Sequence, residues 1–176
     1  MEGRVDDLFC KKMKKHNSQR GWFAHELYQQ MKKNDKIWLI TADLGYKMWD
    51  QHFEDFPDRC VNVGAAEQAM IGMAVGLALG GKIPFCYSIT PFLLYRPYEW
   101  LRNYLYHENI PVRLIGAGRD KDYGQDGFTH WSEGASSLLD TLPNIFTYWP
   151  ETKKAAKEAC WEMVEINSPS FVSLKR

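Results

Sequence analysis

Two alternating rhythms of apolar residues run along this chain. Phe23, Leu27 and Met31 recur at the spacing of one helix face and are followed by Ile37-Trp-Leu-Ile-Thr41, a short apolar run of strand type. After a loop, Val61-Asn-Val63 reads as a second short strand, and 66–79 is strongly apolar over the length of a helix. Ile83-Pro-Phe-Cys-Tyr87 is a third strand, Phe92 to His107 has a helical pattern, and Val112-Arg-Leu-Ile115 is a fourth strand after Pro111. Ile145-Phe-Thr-Tyr148, a helix from Glu151 to Ile166 with Ala155, Ala159, Met163 and Ile166 on one face, and Phe171-Val-Ser-Leu174 complete the series. Strands that alternate with helices need right-handed crossovers, so the pattern predicts an α/β fold: a three-layer sandwich with a mainly parallel central sheet.

The remaining polarity sets the boundaries. Residues 1–18 are polar and Lys-rich without a period and read as a tail or arm; 19–176 reads as one domain, within reach of a single core at 176 residues in all. Lys plus Arg and Asp plus Glu are balanced at 22 each, so no net field favours nucleic acid or an anionic membrane. The longest apolar stretch, Ala69 to Gly80, is too short to cross a bilayer, and the basic N-terminus does not read as an export signal. Cys10, Cys60, Cys86 and Cys160 form no CxxC pair, which suggests neither a zinc knuckle nor a disulfide framework and fits a cytoplasmic setting. Aromatic residues make up 14%, and Tyr46, Met48, Trp49, Phe53 and Phe56 crowd a segment that otherwise reads as loop. They are either interface or cover for the sheet ends.

Ligands in such sheets sit at the strand ends, which makes the loops there the place to search. Ala42-Asp43-Leu44-Gly45 follows the first strand, Gly64-Ala-Ala-Glu67 the second, Ser88-Ile-Thr90-Pro-Phe92 the third, and Gly116-Ala-Gly118 with a polar loop through Asp126-Gly-Phe-Thr-His130 the fourth. Glu67 opens a helix whose next residues are apolar, so its carboxyl is expected to be buried; the plain alternative is a cap or dipole partner. A Rossmann reading of Gly116-Ala-Gly118 fails, because Arg-Asp-Lys follows it where a third Gly opening a helix is needed.

Four segments taken together resemble the pyrimidine-binding domain of the transketolase family: Asn62-Val-Gly-Ala-Ala-Glu67-Gln through Gly81, Phe92-Leu-Leu-Tyr-Arg-Pro-Tyr-Glu-Trp-Leu-Arg102-Asn, Tyr123-Gly-Gln-Asp-Gly-Phe-Thr-His130, and Leu142-Pro-Asn144. The likeness runs from about Arg20 to Arg176 and implies the thiamine-diphosphate-binding fold. It implies that Glu67 bonds the aminopyrimidine ring of thiamine diphosphate and helps the cofactor's own amino group act as a base, a task for a carboxyl held away from water. It implies that Phe92 stacks on that ring and that Tyr95, one turn on, extends the wall, although both could be core residues. It places Asp43 near the cofactor, or else in a turn cap, and brings Asp126 and His130 to a sugar donor, with His130 in proton transfer. Arg20 is matched, more weakly, to an Arg that holds the acceptor's phosphate.

Two departures from the family pattern stand out. Lys47 replaces a phosphate-binding Ser, and Gly118, with Arg119 beside it, replaces a His. Lys47, Arg119 and Lys121 are candidate positive charges for an anionic substrate end, or solvent-facing loop charges. The Gly-Asp-Gly motif that holds the diphosphate and its divalent cation is absent, and Gln125-Asp126-Gly127 belongs to the substrate loop. With no metal ligands of its own, the chain is expected to need a separate diphosphate-binding subunit, which would hold Mg2+ or Ca2+, in an α2β2 heterotetramer. The diphosphate-binding and C-terminal transketolase domains are read as absent. The function implied is transfer of a two-carbon ketol unit from a ketose to an aldehyde, on a sugar or sugar phosphate. The alternatives are a branched-sugar or acyloin synthase, a decarboxylase, a 2-oxo-acid dehydrogenase β-type subunit, or a non-catalytic interaction subunit.

Overall fold

The computed structural model describes residues 18–176; of the arm expected at 1–18 only Ser18 is described, and Cys10 lies outside. Ser18 is not part of an arm but the N-cap of the first helix, its Oγ accepting the Gly21 N–H at 3.2 Å. That helix, α1 (Gln19–Lys33), buries Phe23, Leu27 and Met31 as their spacing requires, and Lys32 and Lys33 sit at its negative end. The elements that follow are β1 (Ile37–Thr41), α2 (Asp50–Asp55), β2 (Cys60–Asn62), α3 (Glu67–Leu79), β3 (Ile83–Ile89), α4 (Thr90–Tyr95) and α5 (Tyr98–Trp100), which runs into a π-helical turn, Leu101–His107. Then come β4 (Arg113–Ala117), α6 (Ala135–Leu139), β5 (Phe146–Tyr148), α7 (Lys153–Glu165) and β6 (Ser170–Leu174). Two 3-10 turns, Gly124–Asp126 and Phe128–His130, shape the long loop after β4.

All the strand pairings are parallel, in the order β2-β1-β3-β4-β6-β5. Side chains alternate across a strand, so a sheet covered on both sides must be apolar at consecutive positions. Ile40, Cys86, Leu114 and Phe171 lie in one register row and pack with Met70, Ile71 and Ala74 of α3 and Leu93 and Leu94 of α4. The next row, Tyr87, Ile115 and Val172, packs with Phe23, Leu27 and Met31 of α1 and Cys160 and Met163 of α7. Each fully buried Leu, Ile or Phe of these rows contributes about 1.5–3 kcal/mol. Three layers result, as the alternation predicts.

One expectation is corrected and one open alternative is narrowed. The single helix expected over Phe92–His107 begins earlier, at Thr90, and is interrupted at Pro97, which has no N–H to continue the hydrogen-bond ladder. The aromatic cluster at 46–56 is mostly core: Trp49 is 2% exposed, Phe53 and Phe56 pack against the α1/α7 side, and only Tyr46 stands out, at 72%.

The chain leaves β1 for β2 on one side and β3 for β4 on the other, so the crevice between the β1 and β3 ends is a topological switch point. Thr90 closes one edge of it, its Oγ1 donating to the Gly118 carbonyl at 2.8 Å and tying the start of α4 to the end of β4. Gly116 permits this approach, since a Cβ there would lie 2.6 Å from Thr90 Oγ1 and 2.7 Å from the Phe171 ring.

Candidate active site

Asn62 sets the geometry of the first two loops. Its Oδ1 accepts the Asp43 N–H at 2.9 Å and the Gly64 N–H at 3.0 Å, while Gly64 turns the chain through φ +74 toward α3. Glu67 is thereby delivered as the first residue of α3, with its side chain 3% exposed, and the expected burial is met. Its carboxylate does more than face the helix dipole. Oε1 accepts a hydrogen bond at 2.8 Å from Arg96 Nη1, at the end of α4.

Arg96 follows Phe92 by four residues, which puts both on one helix face. The Arg96 guanidinium carbon lies 3.8 Å from the centroid of the Phe92 ring, within cation-π range. One planar cation therefore touches both the acid and the aromatic surface. His130 meets Phe92 edge to face at 4.8 Å, and its Nδ1 lies 3.0 Å from Thr129 Oγ1. Tyr123 is 6.4 Å beyond His130, and its hydroxyl accepts from Arg20 Nη1 at 2.9 Å. Glu67, Arg96, Phe92, His130, Tyr123 and Arg20 thus form one continuous file of contacts across the sheet end.

Arg20 and Lys47 line a cavity of about 400 Å³ together with Tyr46, Tyr87 and Tyr123. Arg20 Nε is buried there without a partner among the described residues. Burial pushes the Tyr87 hydroxyl up to about 12 despite the nearby Arg20 charge, so this phenol stays protonated at neutral pH. A second cavity, about 370 Å³ and mainly apolar, is lined by Tyr95, Phe128 and Trp131 together with Pro91, Thr129, Glu133 and Gly134, with Phe128 82% exposed. Tyr95 thus belongs to a wall with Phe128 and Trp131. Asp43, at φ 55, accepts from the Tyr46 hydroxyl at 2.8 Å and from Asn62 Nδ2 at 3.4 Å, the turn arrangement weighed as its alternative role. Asp126 is exposed and lines neither cavity.

Arg119 is not available as a substrate cation. It is 7% exposed and donates to Glu151, to the Pro150 and Ser173 carbonyls and to Ser173 Oγ, so all three of its nitrogens are engaged by the fold. Lys121 pairs with Glu133 at 3.5 Å and sits 4.4 Å from the centre of the Trp131 ring. The departure at Gly118 has a local cause: its φ is +83, and a Cβ would fall 2.4 Å from the Tyr123 ring. Sequence reasoning missed Arg96 and Tyr123. Both stand inside the motifs quoted above, and the four-residue spacing from Phe92 was the available signal for Arg96.

Residues 17–176 match the family described as transketolase, pyrimidine binding domain. A putative transketolase C-terminal section of Methanocaldococcus jannaschii is 29% identical over 162 residues, covering 92% of this chain and 51% of that protein. One subunit of an apulose-4-phosphate transketolase of Actinobacillus succinogenes is 32% identical over 121 residues, 69% of this chain and 39% of its own length. The chain therefore spans about half the length, or less, of these curated relatives. A solved structure titled a split-gene transketolase, inactive beta4 tetramer, superposes with a TM-score of 0.79 at 27% identity, covering 90% of this chain and 51% of that one.

Proposed function

This chain belongs to the transketolase pyrimidine-binding domain family, and from that premise we propose that it is the subunit of a two-chain enzyme that holds the aminopyrimidine of thiamine diphosphate on Glu67 and Phe92. One observation carries the proposal: a planar N–H donor, the guanidinium of Arg96, already engages a carboxylate that is 3% exposed and lies on the adjacent aromatic face. A protonated or imino pyrimidine offers the same two features, a flat face and an N–H aimed along its plane, so the residues fit the ring. When bound, the cofactor supplies an acidic carbon and an electron sink for cleavage of a carbon–carbon bond next to a carbonyl.

The remaining roles fall to side chains of this chain. Glu67 shares a proton with the ring nitrogen. Phe92 fixes the ring's plane, with its own plane fixed in turn by the edge of His130. His130 projects from the substrate loop and is placed to move a proton at a donor carbonyl or hydroxyl, with Thr129 orienting its Nδ1. Arg20 and Lys47 supply charge to the 400 Å³ cavity, which suits the anionic end of a sugar phosphate. Tyr95, Asp43 and Asp126 are assigned to the rim, where the cofactor and the donor hydroxyls would pass. The reaction assigned is transfer of a two-carbon ketol unit to an aldehyde.

A second polypeptide completes the site in this proposal. The described residues include no group of three or more His, Cys, Asp or Glu able to hold a cation. The diphosphate and its Mg2+ or Ca2+ are therefore assigned to a partner subunit, in an α2β2 assembly. A related split-gene chain described as inactive when it forms a β4 tetramer is consistent with a subunit that needs such a partner. The test is turnover by the assembled pair. Glu67→Ala should assemble and fold normally yet lose on the order of a hundredfold or more in kcat; undiminished turnover would refute the assignment.

A further inference from the structure

Arg96 is positioned as a placeholder. Its guanidinium makes the hydrogen bond to Glu67 and covers the face of Phe92, the two contacts that any ring bound in this site must have. Among the described residues no third group holds it: its remaining nitrogens make no hydrogen bond to them, and the side chain is 48% exposed. The backbone beneath is tethered separately, with the Arg96 carbonyl accepting from Gln68 Nε2 at 3.3 Å, so the side chain can swing out without moving the end of α4.

An empty slot would be costly. A carboxylate removed from water with no partner is strongly destabilising, and an uncovered ring beside it would expose more apolar surface. A side chain that pairs with the acid until a ligand arrives solves this, and it makes binding a displacement. We propose that Arg96 is a resident latch of the ring slot: it occupies Glu67 and Phe92 in the uncombined chain and must leave before an aminopyrimidine can enter. This rests on the reading of Glu67 and Phe92 as the ring site. The apparent affinity of the chain for a ring is then reduced by the fraction of molecules in which the slot is open. Since a charge-assisted hydrogen bond and a cation-π contact both favour the closed state, that reduction is on the order of tenfold.

The experiment uses the full chain and thiamine as probe, which carries the aminopyrimidine ring without the diphosphate. Dissociation constants are measured by ligand-observed NMR for the wild type, Arg96→Ala, Arg96→Gln, Glu67→Ala and the Arg96→Ala/Glu67→Ala double variant, with thermal melts to confirm folding. Arg96→Ala should bind thiamine on the order of tenfold more tightly than the wild type. Arg96→Gln, which keeps a neutral donor, should fall between them and serves as the informative variant if Arg96→Ala melts early. Equal or weaker binding by both Arg96 variants overturns the latch, and so does a failure of every variant to bind, because removing a plug must open the slot. The two readings fail differently. Tighter binding by Arg96→Ala that survives in the double variant contradicts Glu67 as the ring's partner, whereas binding that needs Glu67 but ignores Arg96 contradicts the latch alone.

Discussion

Two arginines, one on each side of the sheet, show how differently this fold uses buried charge. Arg113 begins β4 and is 3% exposed; its guanidinium donates to the carbonyls of Met163 at 2.9 Å, Ile166 at 2.6 Å and Pro111. It thereby satisfies orphan acceptors at the end of α7, and although burial lowers its pKa to about 10 it remains a cation at neutral pH. Arg96 has, among the described residues, one hydrogen-bonded partner, one aromatic face and an open path to solvent. The first arginine is fixed by backbone on several sides, and the second is held by two side chains, the pair proposed above as the ring site. Multiplicity of fixed partners separates a structural charge from an exchangeable one.

Replacing Arg113 attacks the fixed side of this comparison and should have the largest effect on stability at neutral pH. Arg113→Met leaves several carbonyls buried without donors and is expected to cost about 3 kcal/mol, read as a lower midpoint in urea unfolding. Next in size is acid. His52 is fully buried against Trp49, its Nε2 donating to the Ala24 carbonyl at 3.1 Å, and burial lowers its pKa from 6.5 to about 3. The folded chain keeps this ring neutral while the unfolded chain protonates it below about pH 6.5. Its contribution is therefore intact above that pH and lost on acidification toward pH 3, by roughly 1.4 kcal/mol per unit. Between pH 6.5 and 5 the loss is about 2 kcal/mol, and a His52→Phe chain should show a correspondingly flatter pH profile over that window. Arg96→Gln should have the smallest effect, within about 1 kcal/mol, because the cation is half solvated and Gln retains a donor for Glu67. A cost for Arg96→Gln equal to that of Arg113→Met would erase the distinction.

The same contrast explains what the sequence made legible. Both faces of the sheet are buried, so strands such as Ile37–Thr41 and Ser170–Leu174 appear as short apolar runs between helical periods, and the α/β alternation can be read directly. Glu67 and Phe92 were singled out by a resemblance of motifs, and the burial of Glu67 followed from the apolar helix it opens. The fate of the arginines was not. Arg96 meets Glu67 across 29 residues and Arg119 meets Ser173 across 54, and no local pattern reports such partners. Arg119 read as a substrate cation or a solvent-facing loop charge, yet it is buried and bonded into the fold. Trp49 stayed ambiguous for a related reason: a segment without periodicity gives no sign of which aromatic turns inward.

Glu67 and Phe92 are proposed as a ring site from which Arg96 is displaced. A crystal structure of the assembled enzyme with thiamine diphosphate and Mg2+ would decide the matter. Displacement requires a ring nitrogen within about 3 Å of the Glu67 carboxylate, the ring lying on Phe92, and the Arg96 guanidinium swung clear of both. A cofactor bound elsewhere while Arg96 still pairs with Glu67 would contradict it.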